Sequence, residues 1–234
     1  MLNNFLNNRY FTLYIAPFII GALTVISFQP FNITVVNFFI LPIFFYFLVH
    51  INKKSKSTFR RKPYRKNFFI FGTSFGFGYY LSGISWISNS LTFDDSFRIL
   101  IPFALVLIPL FLGLFFGFMA LIIAPYLRYD FSSILIFSGA VAFSDFLRAK
   151  LFTGFPWNLW AYSFSWFNEL LQILNLVGLF AFNLIIVTIF TLPSILFFKI
   201  SSKKKFFILF LSIFFFVGSY LFGNYQVNKN KNYL

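Results

Sequence analysis

The sequence predicts an all-α protein, a polytopic bundle of about seven helices that cross a membrane. Hydrophobic residues make up 59% of the 234 residues, and charged residues only 10%. The mean hydropathy is +0.83, and apolar stretches recur at about the length that crosses a bilayer. A soluble domain of this size requires a more polar surface, so the composition favours a membrane protein.

Seven apolar segments define the expected spans, and the Gln29-Pro30 pair joins the first two as a tight hairpin. Prolines within later segments are tolerated in membrane helices, where they produce kinks. We expect residues 1–225 to form a single transmembrane domain and residues 226–234 a tail on the outer side. The predicted spans are 11–28, 31–51, 67–92, 99–127, 131–150, 169–198 and 206–222.

The basic residues predict the orientation. If the N-terminus is cytoplasmic, fourteen of the 19 Lys and Arg residues lie on the cytoplasmic side. This excess of basic residues predicts a cytoplasmic N-terminus and a periplasmic C-terminus. Anionic lipid is the natural partner of a basic loop between two spans. Nucleic acid is not expected as a partner, because no reading element is visible. Eight of the basic residues lie in one loop: Lys53, Lys54, Lys56, Arg60, Arg61, Lys62, Arg65 and Lys66.

The chain has no Cys and one His. A disulfide framework, a thiolate metal site and a Cys nucleophile are therefore excluded for this polypeptide. His50 stands where an apolar run meets the basic loop, and an interfacial side chain is the expected role. No paired carboxylates and no Ser-His-Asp set are visible, so we expect neither a metal nor a cofactor.

Glycines at helical spacing predict close helix packing. Two pairs are four residues apart, and two further glycines extend the small-residue content of the third span. A phosphate-binding loop is not expected, because the strand–turn–helix context is missing. The structural glycines are Gly72, Gly76, Gly78, Gly83, Gly113 and Gly117.

Asp145 and Arg148 are three residues apart and are therefore neighbours on a helix. We expect an ion pair near the outer boundary, with Arg148 and Lys150 extending toward the headgroups. A structural pair that ties the helix to the following loop is the main interpretation, and contact with a lipid phosphate or with the loop backbone is the alternative. Glu169 suits the start of a helix, and Asn183 suits a hydrogen bond between helices.

Residues 151–168 interrupt two apolar runs and hold three of the four tryptophans. An aromatic belt at the headgroups explains the tryptophans alone. A glycine and a proline within the interruption favour a defined turn, either re-entrant or along the outer interface. We expect it to form a lipid-binding wall. The candidate substrate-contacting residues are Arg148, Thr153, Gly154, Phe155, Pro156, Trp157, Trp160 and Tyr162.

Three stretches in this order resemble the apolipoprotein N-acyltransferases, bacterial inner-membrane enzymes that complete lipoprotein maturation. The first is Phe28-Gln29-Pro30-Phe31, and the second runs from Gly76 to Ile87 as GFGYYLSGISWI. The third, which is the most specific, runs from Asp145-Phe146-Leu147-Arg148 through TGFPW to Tyr162-Ser163, and continues to Gly178 and Asn183.

The resemblance implies a membrane bundle with an outward-facing nitrilase-like domain between the seventh and eighth spans. In that family a Cys thiolate, assisted by Glu and Lys, takes an acyl chain from phospholipid through a thioester. The chain then passes to the α-amino group of a diacylglyceryl-cysteine. This sequence stops at Leu234, where that domain is expected, and no catalytic residue can be carried over.

We therefore expect the membrane domain of such an enzyme, in the bacterial inner membrane, as an anchor and lipid-facing platform that is inactive alone. The implied partners are phospholipid, a diacylglyceryl lipoprotein and a separately encoded nitrilase-like domain. The alternatives are a non-enzymatic scaffold, a docking subunit or a small transporter. Internal repeats and charges in mid-bilayer, which are typical of transporters, are not found.

Overall fold

The computed structural model describes residues 8–58, 63–151 and 154–230. Over these ranges the chain is helical and contains no strand, so the all-α prediction is confirmed. Phe11–Ser27, which we name α1, combines π, α and 3₁₀ turns. The other long helices are α2 (Asn37–Thr58), α3 (Pro63–Ile84), α4 (Ile101–Ile123), α5 (Phe131–Lys150), α6 (Leu179–Thr191) and α7 (Ser202–Lys229).

Five helical stretches of the described chain are long and apolar enough to cross a membrane. They contain α4, α5, α6, α7 and the larger part of α2, whereas α1 is apolar but shorter. Helix α3 is not among the five, and its sequence includes Ser, Thr and Tyr side chains. The membrane class is confirmed, and the count of seven spans stays a prediction. The five stretches are Thr34–Lys53, Asp95–Tyr126, Phe131–Lys150, Leu179–Phe197 and Ser202–Lys229.

The predicted span 169–198 is wrong at its beginning. Two short helices, Asn168–Leu171 and Leu174–Val177, precede α6. Between them and α6, Gly178 has φ +76° and ψ 165°, a conformation that is open essentially to glycine alone. The apolar composition is continuous across this point, but the backbone is not.

Two other span ends differ from the prediction. Helix α3 ends at Ile84 and continues as a 3₁₀ segment, Ser85–Thr92. Helix α7 continues past the predicted end at 222 as far as Lys229.

Helix α3 lies at the centre of the bundle, where its aromatic side chains are buried. The rings of Phe44 on α2 and Phe75 on α3 stack with centroids 4.0 Å apart. Both side chains have no exposed surface. A helix that neighbours cover in this way does not need a wholly apolar sequence to lie in a membrane.

Glycines bring two helices close to α3. A Cβ atom on Gly76 would lie 2.7 Å from the Cα atom of Gly113 on α4. On another side of α3, a Cβ atom on Gly78 would overlap the carbonyl oxygen of Phe18 on α1. Gly72 likewise meets the backbone of α4, as the predicted packing role requires. Gly83 differs, because its neighbour is the side chain of Asn158 in the loop after α5.

The bundle has two chemically distinct ends. At one end, Arg9 Nη2 donates to Asn67 Oδ1 at 3.1 Å, beside the basic loop between α2 and α3. We call this the basic end. At the other end, Gly223 of α7 packs directly against the backbone of Glu169, just after the tryptophan-rich interruption. We call this the loop end.

Candidate functional site

A sharp turn follows α5 at the loop end. The backbone N–H of Gly154 donates to the carbonyl of Leu151 at 2.9 Å, and the N–H of Phe155 donates to that of Arg148 at 3.0 Å. Gly154 has φ +77°, and a Cβ atom there would lie 2.7 Å from the carbonyl oxygen of Ala149. Glycine is therefore required. We name residues 154–167 the Trp loop; the candidate residue Thr153 lies outside the described residues.

Arg148 holds the Trp loop to α5. Its Nη1 donates to the carbonyl oxygens of Phe155 and Trp157, the latter at 2.7 Å, and its Nη2 donates to Asp145 Oδ1 at 3.1 Å. The residue is 2% exposed. The expected extension of Arg148 toward lipid headgroups is not found, because the loop backbone folds over the guanidinium and two of its carbonyl groups accept from Nη1. Lys150 is exposed, as expected.

Asp145 links α5 to α6, and Asn183 links α6 to the Trp loop. Its Oδ2 accepts a hydrogen bond from Asn183 Nδ2 at 2.9 Å, so the carboxylate bridges α5 and α6. Asn183 Oδ1 in turn accepts from the backbone N–H of Ala161 at 3.0 Å. Asp145 is 2% exposed and Asn183 is fully buried. The interhelical hydrogen bond expected of Asn183 is confirmed. The same side chain also bonds the backbone of the Trp loop.

Two further anchors come from α3 and from the segment before α2. The Tyr79 hydroxyl donates to the carbonyl oxygen of Asn158, a residue at φ +56°. Thr34 Oγ1 donates to the carbonyl oxygen of Ser163 at 2.6 Å and accepts from Trp166 Nε1 at 3.0 Å. The sequence interpretation missed both anchors. No local signal joins Thr34 to Ser163, a residue 129 positions away in the sequence.

Trp160 supports the loop from inside. It has no exposed surface, and its ring stacks on that of Tyr79 with centroids 5.2 Å apart. It was expected in a wall that faces acyl chains, but the bundle covers it. Burial of so large a ring fixes the middle of the loop against α3.

The exposed face of the Trp loop is aromatic. Trp157 and Trp86 are each 52% exposed, and their rings meet edge to face at 5.6 Å. Pro156 beside them is exposed, and Tyr162 is half-buried. Burial raises the pKa of the Tyr162 phenol above its ordinary value.

This arrangement suits the holding of apolar chains. The nearby carboxylate of Asp145 is paired and buried, so it offers no free base at the surface. Within the described ranges, no group of three or more His, Cys, Asp or Glu side chains could hold a metal ion. The site presents two tryptophan rings, a proline and a phenol at the end of a membrane bundle, where amphipathic rings are favourable.

Comparison with known proteins identifies the family. The family described as the apolipoprotein N-acyltransferase N-terminal domain matches residues 20–192. The apolipoprotein N-acyltransferase of Brucella melitensis biotype 1 is 33% identical over 185 residues, which cover 78% of this chain and 34% of the relative. That of Sinorhizobium medicae is 32% identical over 182 residues, 76% of this chain and 34% of the relative.

A shorter match, to the enzyme of the same name from Rickettsia bellii, is 36% identical over 121 residues, 51% of this chain and 24% of the relative. The chain thus spans about a third of the length of the curated relatives that it matches most fully. Together with the apolar helices, these matches place the protein in a bacterial membrane. The chain belongs to the family of apolipoprotein N-acyltransferase N-terminal domains, the membrane domain of an N-acyltransferase.

Proposed function

We propose that this chain is the anchor and lipid-facing platform of an apolipoprotein N-acyltransferase in the bacterial inner membrane. It crosses that membrane seven times, with the N-terminus in the cytoplasm and the Trp loop at the periplasmic surface. One observation carries the proposal: buried side chains from four parts of the bundle hold the Trp loop in a fixed shape. A loop that is anchored in this way can present a surface of constant form to a lipid.

The loop divides into contact residues and positioning residues. Pro156, Trp157 and Tyr162 are at least partly exposed and form the contact surface for phospholipid acyl chains and for the diacylglyceryl group of a lipoprotein. Gly154 and Phe155 shape the turn. Arg148 and Trp160, which are buried, position the contact surface from below. Thr153 is also proposed as a contact residue, on the basis of the sequence pattern alone.

The chain alone transfers no acyl group under this proposal. A thioester intermediate requires a Cys thiolate, and none of the 234 residues is Cys. A nitrilase-like domain with the nucleophile must therefore act beside the Trp loop, whether it is encoded in the same polypeptide or in a separate one.

Inactivity of the chain alone is the first expected outcome. In a bacterium depleted of its own enzyme, expression of this chain is expected to leave lipoprotein N-termini diacylated, as read by mass spectrometry. The complete Brucella melitensis relative serves as the positive control. Triacylated lipoprotein made by this chain without a supplied nitrilase-like domain would contradict the proposal.

The proposed orientation can be tested directly because the chain has no Cys. Single cysteines are introduced as Ser90→Cys at the loop end and Ser201→Cys at the basic end, both at exposed positions. In spheroplasts, a membrane-impermeant maleimide is expected to label only the Ser90→Cys variant. Detergent should make both variants reactive. Labelling of Ser201→Cys alone in intact spheroplasts would reverse the orientation.

A further inference from the structure

The basic end of the bundle carries a cluster that the proposed function does not use. Three connections meet there: the end of α2, the segment between α4 and α5, and the segment between α6 and α7. Asn52 on α2 donates to the carbonyl oxygens of Pro125 and Leu127 at 3.2 and 3.1 Å. These bonds hold the first two connections together.

Aromatic rings join the third connection to the other two. The ring of Tyr129 stacks on Tyr46 with centroids 5.8 Å apart and lies 6.2 Å from Phe198. Lys53 Nζ lies 3.9 Å from the centre of the Tyr129 ring, a cation–π contact that holds the ammonium group at this surface. Burial, together with Tyr46, raises the pKa of the Tyr129 phenol above its ordinary value.

Each of the three connections contributes an exposed cation: Lys53, Arg128 and Lys199. The five acidic residues of the chain include only one on these connections, Asp130. Its carboxylate accepts a hydrogen bond from the backbone N–H of Ser133 at 2.8 Å and caps α5. The face that the three cations form is therefore positive.

The start of α7 adds an apolar surface beside the third connection. Ser202 and Lys203 stand at its first turn, and Phe206, Phe207 and Phe210 follow on the same side; together they line an open hollow of about 480 Å³. The three phenyl rings are 50–71% exposed. A cation and a hydroxyl followed by apolar rings match the order of a phospholipid, headgroup first and acyl chains after. The three cations stand at the ends of helices that are long and apolar enough to cross a membrane, so lipid headgroups are the anions expected nearest to them.

We propose that the basic end binds an anionic phospholipid of the adjacent leaflet. Lys53, Arg128 and Lys199 attract its phosphate. Because the three cations belong to three connections, the bound headgroup ties the ends of α2, α5 and α7 together. Each basic side chain near an anionic lipid headgroup raises the affinity about fivefold. This site is independent of the acyl-transfer role of the loop end.

The test measures lipid binding by the complete chain in a neutral detergent, using native mass spectrometry. Phosphatidylglycerol is the probe, and phosphatidylcholine is its uncharged counterpart. The wild type is expected to bind phosphatidylglycerol more tightly. The combined variant Lys53→Gln, Arg128→Gln and Lys199→Gln is expected to bind it about 100-fold more weakly.

A matched variant removes the same charge from the loop end: Arg98→Gln, Lys150→Gln and Lys229→Gln. It is expected to bind phosphatidylglycerol like the wild type. Equal losses in the two variants, or equal affinity of the wild type for both lipids, would overturn the proposal, as would tighter binding of an RNA or an acidic peptide.

If the combined variant does not fold, phosphatidylglycerol binding by the wild type is measured at increasing salt concentration instead. Screening is expected to weaken phosphatidylglycerol binding, because the cations are exposed. Binding of phosphatidylglycerol that does not change with salt would refute the site.

Discussion

Replacing Arg148 with alanine is expected to destabilise the protein by about 3–5 kcal/mol. The substitution leaves the Asp145 carboxylate buried without its cation, and it removes the donor from the carbonyl groups of Phe155 and Trp157. Unfolding of the purified chain in mixed detergent micelles, followed by tryptophan fluorescence, measures the change. The Trp loop should also become sensitive to protease, because its turn loses the link to α5.

Two variants isolate the cause of this loss. Lys150→Ala removes a cation from the same helix at an exposed position and is expected to change stability by less than about 0.5 kcal/mol. Arg148→Met combined with Asp145→Asn removes both charges, so it should be less damaging than the sum of the single substitutions. Equal stability of Arg148→Ala and Lys150→Ala would show that the buried pair is not a brace.

Alanine at Gly78 is expected to destabilise the bundle by about 1–3 kcal/mol, and bulkier residues more. The added methyl group would overlap the carbonyl oxygen of Phe18, so α1 and α3 must separate. Backbone atoms cannot move aside as a flexible side chain can. The same unfolding measurement applies, and disulfide cross-linking between cysteines placed on α1 and α3 reports the separation.

Gly218 is the matched control for this substitution. It lies within α7, and a Cβ atom there meets nothing within 4 Å. Gly218→Ala is therefore expected to be neutral or to stabilise by up to about 1 kcal/mol, because alanine is the better helix former. The two substitutions differ in sign although the chemistry is the same. Equal effects at both positions would mean that close packing of α1 on α3 does not limit the size of residue 78.

The sequence predicts the helices best where they are uniformly apolar. The predicted span 131–150 coincides with α5, because Asp130 caps its beginning and the Trp loop ends it. The predicted span 169–198 is wrong at Gly178, because amino-acid composition does not indicate the backbone angle that interrupts the helix there. Asn183 is found from its polarity in an apolar run. The contact of Thr34 with Ser163 is not found, because a threonine before a helix has many ordinary roles.

The Trp loop shows most clearly what the local sequence cannot predict. Its glycine and proline predict a shaped turn, yet nothing in the local sequence tells which tryptophan faces outward. Trp157 is half exposed and Trp160 is fully buried, although both stand in the same apolar and aromatic context. The difference arises because Tyr79 on α3 offers a ring to one of them, and that neighbour comes from a distant part of the chain.

The membrane class, the helical fold, the family and the pairing of Asp145 with Arg148 can all be predicted from the sequence. These depend on composition, on local spacing and on motif order. The folded bundle is needed to show that Arg148 faces inward to the loop backbone, where it donates to two carbonyl groups instead of a lipid. A buried guanidinium is stable only with its partners in place, and the loop that supplies the two carbonyl groups is held over α5 by Tyr79 on α3 and Asn183 on α6.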